Sequence, residues 1–206
     1  MSETNRRGLL IVFEGLDGCG KSTQVARLSE FLKNSEVFRF PNRDSPIGGL
    51  ISNYLKDKSN KSMYTKFEVH CMYTIDRWQS SKEIESKLNE GKDIICDRYS
   101  YSGVSYSVAN GVDMNLCIAS ERGLPEPDIV FFFEGSPEVL QQRRDTEHKE
   151  RYDGLDFQTK VYESYKKVLP EMIQKPGVLC SVNFEDSIEN VTKMIINHVN
   201  NIKNTR

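Results

Sequence analysis

Gly15-Leu16-Asp17-Gly18-Cys19-Gly20-Lys21-Ser22 follows the pattern G-x-x-x-x-G-K-[ST], and its residue types suit phosphate. Glycines let successive backbone N–H groups turn inward around phosphate oxygens, and a helix N-terminus adds partial positive charge. The Lys21 ammonium can reach terminal phosphates and the Ser22 hydroxyl can ligate Mg²⁺, with Thr23 just behind. Cys19 reads as a small filler between glycines, since nothing nearby in sequence is placed as its base. Such a loop leaves a small-molecule kinase, a switch GTPase and an ATPase motor module open. A GTPase should carry N-K-x-D to read guanine, and the one Asn-Lys, at Asn60-Lys61-Ser62-Met63, lacks the Asp. Arginines beside aromatics elsewhere in the chain suit a phosphorylated acceptor that also has a base to stack.

These groups need a scaffold that brings them together. Gly8 to Glu14 is a continuous apolar run, as expected of a strand buried on both faces of a parallel sheet, and similar runs recur at Val37–Phe40, Asp93–Cys96, Asp128–Phe133 and Val178–Val182. Helical spacing separates them. The final helix carries Ile188, Val191, Met194, Ile195, Val199 and Ile202 on one stripe, with Asp186 or Ser187 as N-cap, and Ser136-Pro137-Glu138 is another helix start. The alternation predicts an α/β fold, a parallel sheet covered by helices on both faces. The 206 residues suit one domain spanning 1–206. With 28 Lys+Arg against 30 Asp+Glu, the net charge of -2 gives no bulk attraction to nucleic acid. No apolar run is long enough to cross a bilayer, and Met1 to Arg7 shows no signal cleavage site, so a cytoplasmic protein is expected, with nuclear entry left open. Five scattered cysteines and three histidines argue against a zinc site or a disulfide framework.

Further motifs carry a resemblance over nearly the whole chain. EGLDGCGKSTQ at Glu14–Gln24 is followed by Phe40-Pro41-Asn42-Arg43, Asp76-Arg77-Trp78, Asp97-Arg98-Tyr99 with Ser102-Gly103-Val104, GLPEPD at Gly123–Asp128, and Glu150-Arg151-Tyr152. In this order they resemble thymidylate kinases, particularly the eukaryotic and poxviral branch of the P-loop nucleoside monophosphate kinases. The resemblance implies phosphoryl transfer from MgATP to dTMP on a five-stranded parallel sheet of the P-loop NTPase type, in a homodimer. Phe40 and Arg43 then sit at the carboxyl end of the sheet, where a guanidinium can hold the acceptor phosphate bidentately. Tyr73 and Arg77 share a face of a helix expected over Met63–Asn89, one to stack on thymine and one to reach its O4. Tyr73 stands where animal enzymes have Phe. Asp97 would hold Mg²⁺ through water and Arg98 would bridge donor and acceptor phosphates. Ser102 and Gly103 would let backbone approach the nucleotide. Tyr106 either lies under the deoxyribose, disfavouring a 2′-OH, or fills the core. Asp17 aligns with the acid near the 3′-OH, and Tyr152 and Gln158 line the acceptor site in relatives.

Arg143–Asp156 (RRDTEHKERYDGLD) reads on composition as a charged surface segment; by resemblance it is a mobile lid over ATP, about 143–157. The eukaryotic pattern places an arginine after the loop Asp, but Gly18 follows Asp17 here, so Arg143, Arg144 or Arg151 is expected to supply the catalytic arginine, with Arg144 also a candidate for packing on adenine. A nucleoside monophosphate has a second phosphate pKa near 6, so no strong general base is required. The nearest alternatives are a P-loop monophosphate kinase of different base preference and a deoxynucleoside kinase, which would need such a base, Glu14 being the candidate after the first strand. A nucleotide-dependent switch protein is the non-enzymatic alternative.

Overall fold

The computed structural model describes residues 6–57, 63–143 and 150–205. Five strands, β1 (Leu10–Gly15), β2 (Ser35–Arg39), β3 (Asp93–Asp97), β4 (Ile129–Glu134) and β5 (Leu179–Asn183), form one sheet in the order β2-β3-β1-β4-β5. Every pairing is parallel, so each connection is a crossover through helix: α1 (Lys21–Phe31), then α2 (Pro46–Lys56) and α3 (Lys66–Asn89), α4 (Ser100–Ala109) and α5 (Met114–Glu121), α6 (Pro137–Arg143) and α7 (Leu155–Met172), with α8 (Ile188–Thr205) last. All six residues of β1 are buried, as are all five of β3, which requires cover on both faces and explains why their sequences do not alternate.

The edge strands differ from expectation. β2 runs Ser35–Arg39 rather than Val37–Phe40 and is only partly buried, so its apolar residues mark it poorly; Phe40 instead continues past the strand, donating its N–H to Asp97 O at 3.1 Å before a cis bond to Pro41. α3 starts three residues later than expected because Thr65 and Glu68 form a reciprocal capping box. Ser187 is the acceptor at the start of α8, taking the Asn190 N–H at 3.2 Å, and Val191, Ile195 and Val199 are its buried stripe. α1 packs on α8, and α4 on α7, α3 and α5. β1 and β3 are neighbours, but the chain leaves β1 toward β2 on one side and leaves β3 toward β4 on the other, so the crevice at their carboxyl ends is where such sheets hold ligands.

Candidate active site

β1 ends at Gly15, whose φ is +139° and where a Cβ would lie 2.9 Å from Phe133 O and 3.2 Å from Cys19 Sγ. Only glycine fits, and the chain can then arch back to start α1 at Lys21. Inside the arch the buried Lys21 Nζ donates to Leu16 O at 2.6 Å and contacts Cys19 Sγ at 3.4 Å. Ser22 Oγ donates to Asp97 Oδ2 at 2.9 Å, bringing a hydroxyl and a carboxylate from two elements to one point. Arg39, which the sequence reading missed, reaches the same Oδ2 at 3.3 Å.

Beside the loop, a cleft of about 330 Å³ is lined by Asp17, Lys21, Ser22, Arg39, Phe40, Arg43, Tyr73, Arg77, Asp97, Arg98, Ser102, Gly103, Tyr106, Glu150 and Tyr152, among others. Gly18, Cys19, Gly20 and Thr23 instead line a second cavity of about 320 Å³ on the other side of the loop, against Phe184 and Asp186–Ile188. The loop therefore separates two spaces, one rich in arginine and one bounded by the start of α8.

Arg98 has φ +69° and is the non-glycine residue with positive φ among those described. That backbone turn sends its side chain back toward the loop, where Nη1 donates to Gly15 O (2.9 Å) and Ser102 Oγ (3.0 Å) and Nη2 pairs with Asp17. Tyr106 joins the group, its hydroxyl 3.4 Å from both Asp17 Oδ2 and Arg98 Nη2, with the guanidinium carbon 5.3 Å from its ring centroid. Glu14, the candidate base of a deoxynucleoside kinase, does not line the cleft: it is wholly buried and accepts from Tyr99 N, Ser102 N, Ser102 Oγ and Tyr165 Oη. It anchors the first turn of α4 instead.

The loop bearing Arg43 is tied to α3 by Asp76, which accepts from Asn42 N at 2.8 Å and Ser45 Oγ at 3.2 Å. Burial raises the Asp76 pKa, and these hydrogen bonds act against that shift. Arg43 itself makes a two-pronged pair with Glu150, at 2.8 and 3.0 Å, the geometry a guanidinium uses for phosphate. Tyr73 sits half-buried on the cleft wall, and burial raises its phenol pKa, so it stays a neutral ring. One turn on, Arg77 is 2% exposed and paired through Nε and Nη2 with the equally enclosed Glu121.

Four expected site residues contact protein groups. Gly103, expected to let the backbone approach the nucleotide, lines the cleft with Arg77 packed beside it, and a Cβ there would lie 2.3 Å from Nη2. Ser102 is likewise engaged, by Glu14, Arg98 and Tyr165, although both residues still border the cleft. Gln158 is not among the cleft-lining residues; its Nε2 donates to Tyr152 O at 2.7 Å and so holds Tyr152 from behind. Arg151 contacts α2: its backbone N–H bonds Leu55 O, its Nε bonds Tyr54 O, and its guanidinium lies 4.4 Å from the Tyr54 ring and 3.6 Å from Asp57. Arg144 and the Arg143 side chain lie outside the described residues. Glu121 and Glu150 were not anticipated, because each meets its arginine across a long stretch of chain.

The family model described as thymidylate kinase matches residues 13–195. The chain is 41% identical to thymidylate kinase of Dictyostelium discoideum over 169 residues, 80% of this chain and 74% of that one. It is 38% identical to thymidylate kinase of Plasmodium falciparum over 98% of this chain and 95% of that one. The solved structure of thymidylate kinase from Candida albicans superposes with a TM-score of 0.87 at 33% identity, covering 97% of this chain and 94% of that one. Sequence and architecture agree over nearly the full length, and this chain belongs to the thymidylate kinase family.

Proposed function

We propose that the arginine-lined cleft takes dTMP as acceptor and that the chain transfers to it the γ-phosphoryl group of ATP, giving dTDP and ADP. The observation that carries this reading is the single cleft holding Arg43, Arg77, Arg98 and Tyr73 against Lys21 of the phosphate loop. An acceptor-phosphate oxygen forms the new bond to the γ-phosphorus as the bond to the bridging oxygen breaks, and ADP leaves. The acceptor is already largely a dianion at neutral pH, so positioning and charge stabilisation are what the protein must supply. Arg43 exchanges Glu150 for the acceptor phosphate; Arg98, fixed between Gly15 O and Asp17, lies where acceptor and transferred groups meet; Lys21 leaves Leu16 O for the terminal phosphates. Tyr73 stacks on the base, Arg77 donates to its carbonyl, and Tyr106 with Asp17 bounds the sugar. Gly18, Cys19, Gly20 and Thr23 border the ATP side.

The residues fit Mg²⁺. Ser22 Oγ and Asp97 Oδ2 are two hard oxygens 2.9 Å apart, and among the described residues no group of three or more His, Cys, Asp or Glu could hold a metal by itself. That donor set suits an ion that completes its shell with phosphate oxygens and water. Bound there, Mg²⁺ would neutralise charge on the phosphates. The missing arginine of the phosphate loop is assigned to Arg143, Arg144 or Arg151. Alanine at one of these should lower kcat at least about tenfold; full turnover in all three variants refutes the assignment.

A homodimer is supported by α3, on which Phe67, Ile75 and Trp78 are 40%, 47% and 40% exposed along one stripe with the partly buried Cys71. Sedimentation of wild type against Ile75→Glu tests it, with a purely monomeric wild type as the refuting result. No described helix is long and apolar enough to cross a membrane. The substrate assignment is tested by ADP release with MgATP and dTMP, dUMP, dGMP, dCMP, UMP or thymidine. A preference for dTMP is expected, and turnover of thymidine or indifference to the base refutes it.

A further inference from the structure

Glu121 closes α5 and lies 44 residues from Arg77 in sequence, yet it is the group that fixes Arg77. Its Oε2 accepts from Nε at 2.8 Å, its Oε1 accepts from Nη2, and Thr74 Oγ1 donates to the same Oε1 at 2.6 Å. Behind Thr74 the buried His70 spans Ser107 of α4 (2.8 Å) and Ser120 of α5 (2.9 Å), so the pair is backed by hydrogen-bonded side chains from three helices. Against the other side of the guanidinium stands Gly103, where any Cβ would meet Nη2, Cζ and Nη1 within 2.7 Å. The guanidinium has one place and one plane. Burial opposes ionisation of Glu121, but the Arg77 charge and these hydrogen bonds outweigh it and hold the carboxyl below its usual pKa.

The consequence is chemical. A guanidinium has five N–H donors and no acceptor. Glu121 occupies the Nε hydrogen and one on Nη2, and Nη1 makes no hydrogen bond among the described residues, so what remains for the cleft is donors alone. A base carbonyl oxygen can pair with them; an exocyclic amino group sets donor against donor. Glu121 also cancels the Arg77 charge within a pair that is 2% exposed on each side, whereas Arg43 and Arg98 face carboxylates that are 33% and 50% exposed. A phosphate therefore finds replaceable partners at one end of the cleft and none at the other.

We propose that Glu121 is a positioning residue for base selection: it locks Arg77 as a charge-neutral, donor-only wall, so that the site takes a pyrimidine presenting a carbonyl oxygen and rejects one presenting an amino group. This rests on reading the cleft as a dTMP site. The test is steady-state kinetics of wild type, Glu121→Gln and Thr74→Val with dTMP and dCMP at saturating MgATP. The glutamine offers both donor and acceptor and leaves Arg77 charged, so the ratio of kcat/KM for dTMP over dCMP should fall at least about tenfold, or ~1.4 kcal/mol, with KM moving more than kcat. Thr74→Val, which keeps the ion pair, should move the ratio the same way by a smaller factor. A structural role alone lowers both rates together and leaves the ratio intact, and an unchanged ratio in Glu121→Gln overturns the proposal. If that variant does not fold, an unchanged ratio in Thr74→Val overturns it instead. A wild type that does not prefer dTMP to dCMP removes the dTMP reading and this inference together; a wild-type preference that survives substitution removes only this inference.

Discussion

The two ends of the cleft use the same chemical pair at opposite extremes of burial. Arg77 and Glu121 are each 2% exposed, while Arg43 and Glu150 are 51% and 33% exposed. Both pairs are two-pronged. What differs is access to water, and with it whether the carboxylate can be replaced. Removing one partner of a buried pair strands a charge away from solvent, at about 3–5 kcal/mol, whereas an exposed pair is worth ~0–1 kcal/mol. In the proposed reading, the base end is permanent structure and the phosphate end a socket with a temporary occupant. Arg98–Asp17, at 14% and 50%, stands between them.

This contrast can be broken at several points. Arg77→Ala should lose about 3–5 kcal/mol of stability in urea unfolding, since it leaves Glu121 buried and unpaired; a loss under ~1 kcal/mol would place the base end in the same class as the phosphate end. Arg43→Ala should do the reverse, leaving stability within ~1 kcal/mol while lowering kcat/KM for dTMP about 100-fold, and a marked drop in melting temperature would count against the socket description. Gly103→Ala puts a Cβ 2.3 Å from Nη2 of Arg77, so an overpacking cost of about 1–3 kcal/mol is expected, accompanied by weaker base discrimination. Glu150→Gln should lower KM for dTMP by up to about fivefold, because a weaker occupant is being displaced from an exposed pair; a raised KM would show that Glu150 assists binding.

The smallest effect is a pH dependence. Burial, acting against the attraction of Glu121, lowers the pKa of His70. The unfolded chain then takes up a proton, at a pKa of about 6.5, that the folded chain refuses. The stability contributed by neutral His70 is complete above that value and declines as pH falls toward the lower, folded value. Thermal melts between about pH 8 and pH 5 should show a shallower decline for His70→Gln than for wild type, and parallel curves would exclude the linkage.

The sequence was most legible where a signal is short-range or where burial is complete. The phosphate loop is a contiguous pattern, and β1, β3 and β4 are apolar because both their faces are covered. The edge strands β2 and β5 have mixed burial and lost their boundaries. At the site, residue types were legible but their partners were not. Nothing near Arg77 in sequence announces Glu121, and nothing near Arg43 announces Glu150, since both contacts are made by folding. Nothing near Gly103 in sequence announces that its missing side chain makes room for an arginine from another helix. Arg151 and Gln158 sit beside the right motif, yet spacing alone does not say which way a side chain leaves the backbone; one is bound to α2 and the other braces Tyr152.

Asp76 and Arg77 are consecutive residues of one helix, and between them they hold both ends of the proposed acceptor site: Asp76 fastens the Asn42–Ser45 turn that carries Arg43, and Arg77 lines the cleft at the end assigned to the base. α3 thus works as a calliper with a set gap. A nucleotide is gauged by the distance from its ring edge to its phosphate, not by either contact separately, and a longer acceptor can satisfy one jaw only by leaving the other. The same helix carries the exposed Phe67, Ile75 and Trp78 stripe on its surface, so a tilt imposed from outside would move both jaws together and keep the gauge unaltered.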